Sequence, residues 1–152
     1  MAKKTWNEKL NDSKDLPYVA DIPDCPFAQK FGPRMLVAAP LEYDEIMKKI
    51  PKGEVITMDR VREYLAKRHN ADWTCFMTAG IFGNIVAHAS EEREGRDPTP
   101  WWRTLKKDGE LNEKYPGGVE AQRQLLEKEG FSVVQKGKRF FALDYEERLF
   151  KL

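Results

Sequence analysis

No apolar run in the sequence approaches the roughly 20 residues needed to cross a bilayer, so no membrane-spanning helix is expected. Cysteine is scarce: Cys25 and Cys75 are the only two, far apart and outside any CxxC spacing. With His69 and His88 they form no zinc signature. A disulfide-stapled or metal-held scaffold is therefore excluded, no metal or cofactor is implied, and a reducing, cytoplasmic setting is the default expectation. An excess of one charge is also missing, since 26 Lys and Arg almost balance 25 Asp and Glu to leave +1. Whole-chain charge thus carries no footprint of a polyanionic partner, which takes a basic excess or a basic face. The opening MAKKTWNEKLNDSKD has no apolar stretch behind its basic residues, so it does not read as a secretory signal. Internal repeats and low-complexity tracts are absent.

What is there fits one domain. A 152-residue chain that is 41% hydrophobic can hide roughly 70% of its unfolded surface on folding. Residues 1–33 contain Pro17, Pro23, Pro26 and Pro33 without helical or strand period and read as an extended arm. Trp6, Tyr18, Val19, Ile22, Phe27 and Phe31 are too many apolar residues for a free tail, so parts of this arm are expected to pack on the domain of residues 34–152.

The ordered pattern begins at Pro40. Tyr43, Ile46, Met47 and Ile50 share one helical face, with Pro40 suited to the first turn. After PKGEV, Thr57 can cap a second helix whose buried stripe is Met58, Val61 and Leu65, ended by Asn70. Asp72 can cap a third, in which Trp73, Phe76, Met77 and Gly80 repeat the spacing, running on through Ile81 and Ile85 towards SEEREGRD. Three short helices with tight connections suggest a helix-turn-helix. Residues 98–117 read as a structured loop, and a fourth helix is expected from about Val119 to Glu129, stopped by Gly130. FSVVQKGKRFFAL places two β-rich runs around Lys136-Gly137-Lys138, a hairpin signal. The fold class is α+β, mostly helical: a winged helix-turn-helix-like domain with a C-terminal β-hairpin.

Four landmarks in order carry a family resemblance: PKGEVIT (Pro51–Thr57), AGIFGN (Ala79–Asn84), PWWRT (Pro100–Thr104) and DGELNEKYPGGVEAQRQLLEKEG (Asp108–Gly130). Together they resemble the DNA-binding domain of the alkylguanine-DNA alkyltransferases over about half the chain. PWWRT occupies the place of that family's Pro-Cys-His-Arg-Val motif. AGIFGN stands at the end of its recognition helix with a hinge asparagine, here Asn84. The resemblance implies a helix-turn-helix with a small wing, and DNA as the partner.

The departures from the family bear on chemistry. Family members accept the alkyl group on a thiolate activated by histidine and, through water, by glutamate, which needs a low-pKa thiol beside a base. Here Trp101 and Trp102 stand at the cysteine and histidine positions, while Arg103 and Glu129 remain, and the resemblance implies an alkyl or base pocket made of these four with Asn84 and Tyr115. Indole is neither nucleophile nor general base at neutral pH, so the resemblance implies a protein of the alkyltransferase-like type, which binds alkylated bases without that transfer. Cys75 falls where the family inserts an arginine into the base stack, and Met58 where a family tyrosine helps rotate the nucleotide. Phe76 or Trp73 could supply a wedge of another type. Tyr115 corresponds to a residue lining the alkyl pocket and, with Gly117 and Gly118, shapes the turn into the fourth helix.

Each site residue also has a plainer reading. Trp101 and Trp102 are either a stacking platform for an extruded base or core filler in the space of the reactive pair. Arg103, Lys106, Lys107, Lys136, Lys138 and Arg139 are either phosphate contacts or ordinary solvated surface. From Pro98 to Arg139 nine basic residues face six acidic ones, a modest local excess. Glu129 serves equally as a helix-end residue, Cys75 as a structural cysteine, and His69 and His88 as surface or capping residues. The expected function is non-catalytic DNA binding with recognition of alkylated or extruded guanine for repair. An interaction or regulatory module with a repair or regulatory protein partner is the alternative, and an enzyme built on Cys75 the third.

Overall fold

The computed structural model describes residues 3–152. The stretch expected to be an extended arm holds three elements: helix α1 (Trp6–Asn11), strand β1 (Tyr18–Asp21) and the single turn α2 (Ala28–Phe31). A six-residue helix shows too few turns for a period to register, which is why the sequence concealed it. Its order comes from a capping box, in which Thr5 Oγ1 accepts from the Glu8 N–H and Glu8 accepts from the Thr5 N–H, and from the burial of Leu10. Strand β1 pairs antiparallel with β2 (Arg34–Val37), Tyr18 opposite Val37. In turn β2 pairs parallel with the two-residue β4 (Trp73–Thr74), Met35 opposite Trp73.

Helix α3 (Pro40–Lys48) buries Tyr43, Ile46 and Met47, with Ile50 just beyond it, as its spacing requires. Helix α4 (Met58–Arg68) buries Val61 and Leu65 and leaves Met58 half-buried. Thr57 stands at its N-cap in extended backbone, but its side chain makes no cap bond. That residue belongs instead to β3 (Ile56–Thr57), paired parallel with β5 (Thr104–Leu105). Asn70, at φ 55, turns the chain after α4.

Helix α5 (Phe76–Glu92) departs from expectation in its start and its buried face. Asp72 does not cap it; the Asp72 carboxylate accepts from the Arg34 N–H at 2.9 Å, and Cys75 takes the N-cap position. The expected stripe is turned outward: Phe76, Met77 and Ile81 are 38, 70 and 56% exposed. Of the expected residues only Ile85 is buried, and the buried face is otherwise made of Ala79, Gly83, Val86, Ala87, Ala89 and Ser90. Small side chains let α5 lie close to α1, α3 and α4 at the centre of the helical layer, so Phe76, Met77 and Ile81 stay outside the core while Ile85 and Val86 enter it.

Helix α6 (Gly118–Lys128) follows Gly117, which holds φ 78 at its N-cap. The hairpin pairs β6 (Val133–Lys136) with β7 (Arg139–Ala142) around Gly137 and Lys138, Gly137 taking φ 65. Buried residues divide into a helical core, containing Trp101 and Tyr115, and a smaller cluster of Val55, Leu105, Leu111, Leu126, Phe131 and Ala142 under the wing. The architecture is thus the α+β, winged helix-turn-helix-like arrangement anticipated. Among the described residues no helix is long and apolar enough to cross a membrane.

Candidate nucleic-acid interface

The outward face of α5 forms one wall of an open groove of about 910 Å³, closed by α4 and by the segment from Leu105 to Tyr115. Its floor is apolar, with Met58, Phe76, Ile81, Leu105 and Tyr115, and its rim is cationic. Lys9, Arg62, Lys106, Lys107 and Lys114 line it against only Asp59 and Glu113. In a chain of net charge +1, five cations facing two carboxylates is a local concentration of positive charge. A second hollow of about 440 Å³, bounded by Phe31, Trp73 and Lys67, shares Asp59, Arg62, Phe76 and Lys107 with the first, so the two form one trough.

Met58, Phe76, Asn84, Lys106, Lys107 and Tyr115 are brought together in the main groove. Trp73 joins the second hollow, its indole N–H donating to the Gly32 carbonyl at 3.0 Å. Asn84 Oδ1 and Asp59 Oδ1 are buried without a hydrogen-bond partner among the described residues, so the groove holds unspent acceptors. Burial pushes the Tyr115 phenol well up from its ordinary value. It stays neutral and donates to the Thr104 carbonyl at 3.1 Å.

Four members of the expected base pocket do not line the groove. Trp101 is 1% exposed and packs edge-on against Tyr115, centroids 5.3 Å apart, and against Trp102 at 5.6 Å. It lies behind the groove wall as core. Trp102, Arg103 and Glu129 form a separate clamp. The Trp102 indole N–H donates to Glu129 at 3.0 Å, Arg103 Nε and Nη2 donate to the same carboxylate at 2.9 and 2.7 Å, and Arg103 Nη1 donates to the Ile50 carbonyl at 2.8 Å. The clamp ties the turn at Trp101–Arg103 to the end of α6 and to the exit of α3. Burial alone would raise the Glu129 carboxyl, but the Arg103 and Trp102 donors outweigh it and hold it below its ordinary value.

Cys75 sits half-buried at the start of α5, its N–H donating to the Leu36 carbonyl at 2.8 Å, and it does not line the groove. Among the described residues the lining holds no cysteine and no histidine. His69 meets Glu42 at 2.6 Å, and His88 meets the Lys114 carbonyl at 3.0 Å. On the wing, Lys136 and Lys138 are exposed, whereas Arg139 is paired with Glu110 at 2.8 Å. The acidic stretch SEEREGRD closes α5 and returns to α3 through Lys48 and Asp97 at 2.8 Å, lining neither hollow.

Sequence reasoning missed Arg62, Lys114, Trp6 and Lys9. A signal existed for the first, because Arg62 is four residues after Met58 and shares its helix face. Nothing local joins α1 to α4.

Two solved structures are similar in fold. One is S. pombe Atl1 in complex with damaged DNA containing O6-carboxymethylguanine, at a TM-score of 0.53 and 19% identity, covering 74% of this chain and 94% of that one. The other is S. pombe ATL in complex with DNA, at a TM-score of 0.53 and 20% identity with the same coverage. No curated protein matches the chain. The family model described as 6-O-methylguanine DNA methyltransferase, DNA binding domain, matches residues 43–131, which enclose all four sequence landmarks. On that match over more than half its length, the chain belongs to the 6-O-methylguanine DNA methyltransferase DNA-binding-domain family.

Proposed function

We propose that this chain binds DNA as a non-catalytic, alkyltransferase-like protein and receives an alkylated or extruded guanine in the groove beside α5. The observation that carries this reading is the groove's composition: an apolar floor under a rim of five cations and two carboxylates. Phosphates would meet Arg62, Lys106, Lys107 and Lys114, with Lys136 and Lys138 reaching the backbone from the wing. Phe76 and Trp73 would contact unstacked bases, while Met58, Asn84 and Tyr115 would enclose the base itself. The fold neighbours support the reading, since S. pombe Atl1 was solved with DNA carrying O6-carboxymethylguanine.

Absence of transfer follows from chemistry. At the family's acceptor position stands a buried indole, Trp101, which offers no nucleophile. In this reading Trp101 backs Tyr115, and the Trp102–Arg103–Glu129 clamp holds the loop that presents Lys106 and Lys107. One feature favours the alternative, a protein-interaction module. Phe27 and Phe31, 43 and 42% exposed, cluster with Trp73 and Phe76 at centroid distances of 5.1–6.3 Å.

Titration of duplexes with and without O6-methylguanine at low salt, followed by intact-mass measurement, tests the proposal. The expected result is tighter binding to the modified duplex with no mass gain. Equal binding to both duplexes refutes the recognition of the modified guanine, and absent binding to both refutes the DNA reading. A stoichiometric gain of one methyl group refutes the non-catalytic part, and its mapping to Cys75 would identify the acceptor.

A further inference from the structure

The family match begins at residue 43, after α1, β1, α2 and β2, yet the trough extends beyond that boundary. Trp6 and Lys9 of α1 wall one end of it, and Phe31, the last residue of α2, lines the other. Both ends of the surface around α5 therefore come from the N-terminal arm rather than from the family domain.

The docking of α1 is specific. The Glu92 carboxylate at the end of α5 accepts from the Trp6 and Asn7 N–H groups at 3.1 and 3.0 Å. Asn7 Nδ2 donates to the Ala89 carbonyl at 3.0 Å, and Arg93 donates to Asn7 Oδ1 at 2.7 Å. The Trp6 indole stacks on His88 at 4.5 Å. A helix of six residues has little stability of its own, so these contacts determine where it sits. They set the Lys9 ammonium 4.4 Å from the Trp6 ring centroid, on the groove wall. Lys4, in the same segment, is paired with Asp12, and Lys106 across the groove lies 3.7 Å from Glu113. Lys9 has no carboxylate partner among the described residues.

We propose that the N-terminal arm is part of the nucleic-acid interface, with Lys9 contacting a backbone phosphate at the α1 end of the trough. The inference rests on the DNA reading above and adds to it a phosphate contact from outside the family domain. A polyanion lying along the main groove, the more cationic part of the trough, would meet cations from α1, α4 and the Lys106–Lys114 segment together, while Glu63 and Asp72 line only the second hollow. Their combined charge exceeds what the family domain supplies alone.

The test uses the full chain and two duplexes, plain and carrying O6-methylguanine, with affinity measured across a salt series. Each phosphate contact contributes about 0.9 to the log–log salt slope on duplex DNA. Lys9→Ala is expected to lower that slope by about 0.9 on both duplexes, with Lys9→Arg restoring it. Lys128→Ala, which removes an exposed cation of α6 outside both hollows, is expected to leave it unchanged. Thermal melting checks that the variants are folded. A parent that binds both duplexes, with an unaltered slope in Lys9→Ala, overturns the role of the arm and leaves the DNA reading intact. A parent that binds neither duplex overturns both. A fall in melting temperature with the slope unaltered likewise counts against a phosphate contact, because it assigns Lys9 to the packing of α1.

Discussion

Replacing Trp101 with alanine removes the largest fully buried side chain of the protein, and its neighbours set the size of the effect. A buried indole hides 150–250 Å². At about 25 cal/mol per Å² this corresponds to roughly 4–6 kcal/mol, an upper bound because the unfolded chain is already partly collapsed. Aromatic-to-alanine changes in cores cost about 3–5 kcal/mol. The lower range applies if Tyr115 and Trp102, whose rings flank the indole, relax into the space. For a domain of this size each kcal/mol moves Tm by about 2–4 °C, so a drop of roughly 6–20 °C is expected. Thermal melting of parent and Trp101→Ala, paired with binding to plain and O6-methylguanine duplexes below both transitions, reads the outcome. A drop under about 2 °C together with lost discrimination would refute the placement of Trp101 behind the wall and make it a lining residue of the pocket.

Glu129 makes a pH prediction. Its carboxyl lies below the ordinary value in the folded state because the Arg103 and Trp102 donors outweigh burial. Its stabilising contribution is therefore complete above the ordinary carboxylate value and is lost as pH falls through the lowered one. Denaturant unfolding should show a gap between parent and Glu129→Gln that is constant above about pH 5 and narrows on acidification; a pH-independent gap would contradict it. Gly80 has nothing within 4 Å of an added Cβ, so Gly80→Ala should stabilise α5 by roughly 0.5–1 kcal/mol. Since Gly80 lines the groove, the same change should weaken DNA binding, and unaltered affinity would argue against close approach of a ligand there. On the wing, Lys136→Ala and Lys138→Ala should each lower the log–log salt slope by about 0.9. Arg139→Ala should lower it less, because Glu110 already neutralises that guanidinium; equal slopes in all three would exclude this difference.

Much of the architecture was legible because its causes are local. The Tyr43, Ile46, Met47 stripe with Pro40 at its start defined α3. The Gly117–Gly118 turn defined the entry to α6, and the glycine between Lys136 and Lys138 defined the hairpin. Each depends on contacts or backbone preferences a few residues apart. Periodicity misread the first turns of α5, since it marks the large apolar side chains Phe76, Met77 and Ile81, whereas close packing there selects the small ones, Ala79 and Gly83; further along, Ile85 is buried as its spacing required. The candidate site divided the same way. The motif segments singled out Asn84 and Tyr115, which line the groove, while alignment alone could not separate Tyr115, on the wall, from Trp101 behind it.

With Trp101 and Trp102 at the positions the resemblance gives to a thiol and an imidazole, the proposed absence of transfer through those positions is a reading of the sequence alone, because the missing groups belong to the residues themselves. Where the cations gather is a different kind of fact. Lys9, Arg62 and Lys107 lie on three separate elements, with a near-neutral chain between them. They share one rim only because α1 docks on α5 and because the parallel pairing of Ile56 with Thr104 brings the loop after β5 beside α4. Such long-range pairings depend on burial and hydrogen-bond partners drawn from opposite ends of the chain, which no local pattern records.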